Sequence, residues 1–292
     1  MFLNSTEGYA LGVLRHRTVD GGATWTHIDN KGPYFWTHGQ VVDGNKIYLA
    51  GEYFSSFGTL SGGHFSQNAS VARMDSVGNY FAPVQVGQAP ALDQYRPSIL
   101  SLHFVSDSVG FVTLEDGTIH KTFDAGVSWK ADTVSPNELH VVYFRGRTRG
   151  YAAGAGGRLY QTTDGGLTWA QHSVTGTTRT IRSLRFVDAG TGYAVGDSGL
   201  ILATLDSGAT WTPMASGTTA NLNHIFLVED GTSGYAVGAR GTILKLTGGT
   251  PSSLQSASRA VMQGTQMRFR RTVLELPDGR RFELTGKRLP LP

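Results

Sequence analysis

The chain has no cysteine among its 292 residues, so neither a disulfide nor a thiolate metal centre can form, and the count is silent on redox compartment. No stretch approaches the roughly 18 uninterrupted apolar residues of a spanning helix, so no membrane insertion is expected. Apolar residues nowhere recur at the helical spacing of 3.6, which argues against helical solenoids. The opening Met1-Phe2-Leu3-Asn4-Ser5 lacks the basic-then-apolar order of a signal peptide. It reads instead as the middle of a repeat, with the expectation that upstream residues belong to a longer precursor. Histidine forms neither a His-x-His nor a His-Glu-x-x-His pair, and no Gly-rich phosphate loop ends in Lys-Ser/Thr; Gly154-Ala-Gly-Gly157 lies between strand-like runs rather than before a helix. No cofactor and no resident metal are expected.

Charge of one sign is also scarce, at a net +3. Residues 259–292 hold eight Arg or Lys against Glu275, Asp278 and Glu283, which leaves the remainder slightly acidic. Cations confined to a terminus do not make a phosphate-tracking face, so no nucleic-acid partner is expected.

What the chain has in plenty is glycine, 39 residues without the three-residue period of collagen, together with 39% apolar and 10% aromatic content. That combination points to an all-β protein of short strands and tight turns with a sizeable core. A repeat is visible. Thr-x-Asp-x-Gly-x-Thr/Ser-Trp occurs as Thr18–Trp25, Thr122–Trp129 and Thr204–Trp211, with Thr163–Trp169 in the same wording, each preceded by Gly-Tyr or Gly-Phe at Gly8, Gly110, Gly192 and Gly150 respectively. Gly150, Gly192 and Gly234 follow one another at 42 residues. A period near 40 with four strand-like runs per unit is the pattern of propeller blades. The expected fold is an all-β propeller of four-stranded antiparallel blades, six of them with seven as the alternative, over residues 1–250. A linker at 251–266 and a basic β-hairpin tail at 267–292 would follow.

Residues 181–215 show the template: strands at Ile181–Val187, Tyr193–Gly196, Leu200–Thr204 and Thr210–Met214, with turns at Asp197-Ser-Gly and Asp206-Ser-Gly. The second blade departs from it, with strands expected at 35–42, 46–50, 70–74 and 80–84, an insertion at 54–68 and a degraded Asp motif at Asp75. The sixth lacks its Trp strand and reads as incomplete. A propeller closes when one terminus completes a blade begun at the other. The tail's Pro277-Asp278-Gly279 between alternating runs signals a hairpin, read as an appendage rather than the closing strand.

The repeated Asp20, Asp124, Asp164 and Asp206 suit turns, a carboxylate accepting from N–H groups two and three residues on while the following Gly takes a positive φ. Trp25, Trp129, Trp169 and Trp211 would pack against the next sheet. Four equivalent acids spread over four blades cannot converge on one substrate, so these residues are expected to be structural, with calcium-binding or catalytic carboxylates as the alternative.

These motifs resemble those of the Asp-box, or bacterial neuraminidase repeat, propellers. The run Phe186-Val-Asp188 through Gly192-Tyr-Ala-Val-Gly196 to Trp211 is more closely similar to the photosystem II assembly and stability factor branch. The resemblance covers residues 2–250 and implies fold more than function, since glycosidases, sorting receptors, assembly factors and exported proteins share the repeat. In sialidases it would imply an arginine triad, a Tyr-Glu nucleophile pair and an acid on the face opposite the Asp motifs. Tyr95-Arg96-Pro97-Ser98 is similar to the first arginine motif but lacks its Ile-Pro ending and follows two blades. Leu274-Glu-Leu-Pro-Asp-Gly with Phe282-Glu-Leu-Thr-Gly-Lys-Arg288 is similar to the C-terminal sorting module of type IX secreted proteins; an arbitrary hairpin is the other reading.

Glycoside hydrolysis needs two carboxyl groups about 5–10 Å apart. The acids expected on the opposite face are Glu52, Asp116, Glu138 and Asp197, of which Glu138 and Asp197 are the pair that would meet. His103, His140 and His224 on first strands are the candidates for a zinc site assembled by several blades, against a plainer role as satisfied strand residues. The turns between second and third strands present Arg15, His16, Asp116, Arg158, Asp197 and Arg240, and the inter-blade loops add Arg96, Asn137, Arg179 and Asn223. Loops on a rigid frame are where recognition sits, and a mixed-charge rim suits a protein or carbohydrate partner. Arg15, Arg158, Asp197, Arg240 and Asn223 are the binding candidates. The sequence therefore points to a monomeric, exported, non-catalytic binding or assembly scaffold at the cell surface or beyond it, with a sialidase- or xyloglucanase-like glycosidase as the alternative.

Overall fold

The repeats resolve into six consecutive antiparallel blades of propeller type in a computed structural model of the chain. It describes residues 1–11, 15–28, 34–43, 46–57, 64–75, 83–86, 97–172, 174, 176–227, 233–247, 273–275, 281–283 and 288–289. Two compact units emerge, Met1–Arg96 with Val261–Pro292, and Pro97–Ala260.

In the first unit, blade 1 is β1 (Gly8–Ala10), β2 (Arg15–Thr18) and β3 (Thr26–Ile28). Met1 exchanges two hydrogen bonds with Tyr9 and Phe2 bridges Gly8, so the first residues lie beside β1 where a first strand runs in other blades. Blade 2 is β4 (Tyr34–Val42), β5 (Lys46–Phe57), β6 (His64–Asp75) and β7 (Val84–Gln85). The insertion expected at 54–68 is not a separate excursion. Its flanks prolong β5 and β6 in unbroken register from Lys46↔Asp75 to Phe57↔His64. Tyr53, Phe54 and Phe57 are strand-favouring residues, so the ladder has no reason to end at Ala50. The fourth strand also falls later than expected, at Val84–Gln85, and residues 80–82 lie outside the described set. Tyr9, Trp36, Ile47, Leu49 and Met74 bury the seam between these two blades.

The second unit holds the regular repeats. Blade 3 is β8 (Ile99–Phe104), β9 (Gly110–Leu114), β10 (Thr118–Thr122) and β11 (Lys130–Thr133). Blade 4 is β12 (Leu139–Arg145), β13 (Arg149–Gly154), β14 (Leu159–Thr162) and β15 (Ala170–His172). Blade 5 is β16 (Ile181–Phe186), β17 (Gly192–Gly196), β18 (Ile201–Thr204) and β19 (Thr212–Met214). Blade 6 shows three strands among the described residues, β20 (Leu222–Leu227), β21 (Ser233–Gly238) and β22 (Ile243–Thr247). In blades 4 and 5 alternation along the strands sends apolar side chains to both faces, because each of these blades is covered on both sides. Val141, Tyr151 and Leu159 of blade 4 thus meet Ile181, Leu184 and Leu202 of blade 5. Tyr193, Val195 and Ile201 of blade 5 meet Leu222, Ile225 and Leu244 of blade 6.

In the tail, β23 (Val273–Glu275) pairs with β24 (Arg281–Glu283), the hairpin expected across Pro277-Asp278-Gly279, and β25 (Arg288–Leu289) adds a strand that the sequence did not signal. The expected linker at 251–266 lies outside the described residues.

Each Asp turn joins a third strand to a fourth, and its hub is the leading threonine rather than the aspartate. Thr18, Thr122, Thr162 and Thr204 are at most 2% exposed. Each Oγ1 donates to its Asp Oδ1 at 2.7–2.8 Å and accepts the N–H of the turn glycine at 2.8–2.9 Å. The carboxylate accepts mainly four residues on, from both the N–H and the hydroxyl of Thr24, Ser128, Thr168 and Thr210. The expectation of donors two and three residues on is met only by Leu167 N–H at 3.0 Å. The difference arises because two consecutive residues of each turn have positive φ, Ala125 (62°) and Gly126 (83°) for example, which curls the backbone so that its fourth N–H faces the carboxylate. These bonds hold Asp20 and Asp124 down at about 2, led by Thr24 and Ser128 respectively, and hold Asp164 and Asp206 below the usual carboxylate range.

The tryptophans stand edge-on to a phenylalanine of their own blade, at 6.1, 6.2, 5.9 and 6.0 Å for Phe2–Trp25, Phe104–Trp129, Phe144–Trp169 and Phe186–Trp211. Packing against a neighbouring sheet, as expected from sequence, is seen for Trp169 and Trp211, but in the clusters shared with the preceding blade, and the turn runs the same way. Its reach is to the preceding blade, where Tyr151 Oη of blade 4 donates to Ser207 O of blade 5 at 2.7 Å. In blade 4 that reach displaces a bond. Buried Lys121 of blade 3, paired with Asp132 at 3.0 Å, donates to Gly166 O at 2.8 Å. The Trp169 indole N–H is left without a partner, whereas Trp25, Trp129 and Trp211 donate to the equivalent carbonyl at 3.1–3.2 Å.

Candidate functional site

The opposite ends of the same blades are built on a different turn. In blades 4, 5 and 6 a three-residue 3-10 turn, Ala155–Gly157, Asp197–Gly199 and Ala239–Gly241, joins the second strand to the third. Its middle residue is left-handed in every case, Gly156 at φ 71°, Ser198 at 52° and Arg240 at 58°. The N–H of its first residue donates to the carbonyl just before the same blade's first strand: Ala155 to Glu138, Asp197 to Thr180, Ala239 to Asn221, at 2.8–3.0 Å. That carbonyl presses on Gly154, Gly196 and Gly238, where any Cβ would run into it. Inter-blade loop and turn are thereby locked together in each blade, and what varies is only the side chain each turn displays.

Aligned in this way, the sequence candidates occupy three distinct positions. Asp197 replaces Ala155 and Ala239 at the first, exposed Arg240 replaces Gly156 and Ser198 at the second, and half-buried Arg158 follows the turn where Leu200 and Thr242 stand. With the Asn137 amide oriented to satisfy both neighbours, its oxygen accepts from Arg158 Nε at 3.0 Å and its nitrogen donates to Pro136 O. Arg179 is exposed in the loop before β16, and exposed Asn223 sits at the bulge that opens β20. Asn221, missed in the sequence, accepts the Ser198 N–H through its Oδ1 at 2.9 Å and so ties blade 6's loop to blade 5's turn. Asp116 accepts from the Thr118 N–H and hydroxyl and thus closes its own turn.

Glu138 and Asp197, the expected acid pair, are each engaged by a basic side chain. Arg182 forks onto Asp197, Nε to Oδ1 at 2.5 Å and Nη2 to Oδ2 at 3.3 Å. These bonds, chiefly, hold the Asp197 carboxyl below its usual range. His140 Nε2 lies 3.1 Å from Glu138 Oε2. Burial first, and then the nearby Arg182 charge, push His140 below its ordinary value in spite of Glu138, so at neutral pH the contact is a hydrogen bond from a neutral ring. Arg182 was missed in the sequence because nothing in a strand pattern tells which turn a first-strand arginine will reach.

The three candidate zinc histidines go separate ways. His103 packs against Tyr143 and Phe144, His140 meets Glu138, and His224 Nδ1 lies 3.3 Å from Ser183 Oγ. Among the described residues no three His, Asp or Glu side chains gather as a metal site. In the first unit, Arg15 opens β2 opposite Ile28 and His16 pairs with His27 in the same ladder, while Glu52 lies on β5. The Arg15 side chain and the whole of Arg96 fall outside the described residues.

Residues 136–216, blades 4 and 5, match the family model for photosynthesis system II assembly factor YCF48. No curated protein matches the chain. A structure of YCF48 bound to D1 peptide superposes with a TM-score of 0.60 at 16% identity, over 86% of this chain and 77% of that one. The GH74 xyloglucanase from Xanthomonas campestris gives 0.58 at 15%, over 84% of this chain but only 43% of the enzyme. U3-55K gives 0.63 at 8%, over 86% and 76%. At these identities the likenesses speak for the fold. The chain therefore shares the β-propeller fold of these structures, and its blades 4 and 5, which carry Arg158, Arg182 and Asp197, match the YCF48 family model.

Proposed function

We propose that this protein is a non-catalytic scaffold that binds a protein partner through the blade ends opposite the Asp turns. One observation carries the reading: turns of identical backbone display different polar side chains, and the acids there are already held by Arg182 and His140 while Arg158, Arg179 and Arg240 face solvent or a neutral amide. A rigid frame with a cationic surplus suits an acidic stretch of polypeptide. That a related propeller was captured with a peptide is consistent with this reading. The glycosidase alternative needs one carboxyl group able to hand over a proton, and Asp197, forked by Arg182, is a poor donor.

Capture of partners from the native host by the intact chain tests the reading. The Arg158→Ala/Arg179→Ala/Arg240→Ala variant should lose the captured protein while melting as the parent does. Undiminished capture, retention on a glycan array instead, or turnover of a fluorogenic glycoside panel would overturn it. The reading includes export and a monomeric state, which fractionation of the host and light scattering check.

A further inference from the structure

The first strands of blades 3, 4 and 5 carry His103, Tyr143 and Arg185 at the same register position, opposite Phe111, Tyr151 and Tyr193. Side by side they form a row. The His103 and Tyr143 rings are 5.3 Å apart, and the Arg185 guanidinium carbon lies over the Tyr143 ring at 5.3 Å from its centre. Blade 6 continues the row with Phe226, opposite Tyr235 and 61% exposed.

A guanidinium offers five donors. Arg185 uses one, Nη1 to Leu184 O at 2.7 Å, and no carboxylate pairs with it among the described residues. Half-buried Arg17 and Arg182 differ: Arg17 bonds Glu7 and Arg182 forks onto Asp197. Arg185 is also deeply set, and burial pulls its guanidinium below the usual range while water still reaches part of it. His103 is pushed down to about 4, first by burial and then by Arg185, so at neutral pH the row holds one positive charge and no negative one. A desolvated cation without a counter-charge is costly. Its planar fork is matched by a carboxylate, and one guanidinium balances one carboxylate rather than a phosphate dianion.

We propose that Arg185, seated on Tyr143 between His103 and the exposed ring of Phe226, receives a carboxylate of the bound polypeptide, from an acidic side chain or the chain terminus. This rests on the protein-binding reading above and extends it, because Arg185, opposite Tyr193 and level with Ala203, stands beside the Asp turn rather than at the blade ends opposite it. Phe226 offers apolar surface beside the anion, which favours a carboxylate flanked by an apolar residue.

The test follows the His103 ring by NMR against pH in the intact chain, with acetate as the first probe. An anion beside Arg185 stabilises the imidazolium, so the proton affinity of His103 should rise by about threefold or more with acetate, and Arg185→Met should abolish the response. The same variant should melt no lower than the parent, since an apolar side chain replaces an uncompensated cation. Arg185→Lys, which keeps the charge without the fork, should retain a weakened response. No acetate response in the parent, or an equal one in Arg185→Met, overturns the proposal. Peptides ending in Phe-Glu, free and side-chain- and terminus-amidated, separate the sources: tighter binding of the free form supports a polypeptide carboxylate, and equal binding would reduce the site to small anions and overturn it. Loss of capture in the Arg158/Arg179/Arg240 variant with unchanged capture by Arg185→Met would sink the anchor and spare the broader reading.

Discussion

At one end of blades 3, 4 and 5 the chain turns on Thr-x-Asp-x-Gly, and the threonine hydroxyl and the carboxylate of that motif are spent on their own turn. At the other end of blades 4 and 5 the backbone is as tightly locked, by Glu138 O and Thr180 O, but the side chains are released from duty and differ from blade to blade. One end repeats because its side chains make the fold. The other varies because its backbone makes the fold and its side chains need not. Recognition is therefore sought where repetition fails.

The largest effect should come from breaking the backbone lock. Gly196→Ala forces a Cβ into the Thr180 carbonyl, and because Gly196 is extended at φ −170° the damage is steric rather than torsional. A loss of about 3 kcal/mol or more is expected by denaturant melting. A parent-like midpoint would mean that the inter-blade loop is free to move.

Next is the hub of the other end. Thr204→Val keeps the volume but orphans the Gly208 N–H and removes the donor to Asp206, which should cost about 1–3 kcal/mol. An unchanged midpoint would transfer the fastening role to the aspartate alone.

Acid distinguishes the ends further. A carboxyl held at about 2 when folded and near 3.8 when unfolded stabilises the fold above pH 3.8 and loses that contribution as pH falls toward 2, so Asp20 and Asp124 give a flat profile above pH 4. His103 works in a higher window. Its folded value of about 4 lies below the ordinary 6.5, so its contribution is whole above pH 6.5 and is lost as pH falls to about 4, by at most about 3 kcal/mol. Midpoints measured from pH 7 to 2 should show two falls, and His103→Gln should shrink the upper one without removing it, since His120 and His140 are also held below their ordinary value, first by burial.

The smallest effect is expected of Ala125→Gly. Ala125 sits at φ 62°, where relief of left-handed strain and added freedom of the unfolded chain nearly cancel, leaving a change within about 0.5 kcal/mol. A large destabilisation would show that Ala125 packs, contrary to its role as a spacer.

The blades were legible in the sequence because Gly-Tyr, Asp and Trp recur at fixed offsets, and blade 5's strands fall within a residue or two of where its pattern placed them. Blade 2 was legible in its first half only. Once Asp75 no longer spelled the motif, nothing marked that the ladder runs on to Phe57 and His64. Of the site, the candidates Arg158, Asp197 and Arg240 were found from their turns, but Arg182, Asn221 and Arg185 were not.

The repeat spacing and the two-residue alternation by themselves determined that this chain makes antiparallel blades, and they marked the end at which the aspartates serve the fold. Both signals are local, since turn chemistry and strand period act within a few residues. Only the tertiary structure decided which charges are spent and which are left. Asp197 is spent on Arg182, from a strand 15 residues away, and Arg185 is left on the ring of Tyr143, from the blade before it. The first pairing depends on how the strands of one blade register and the second on how neighbouring blades stand face to face, and no spacing along the chain encodes either.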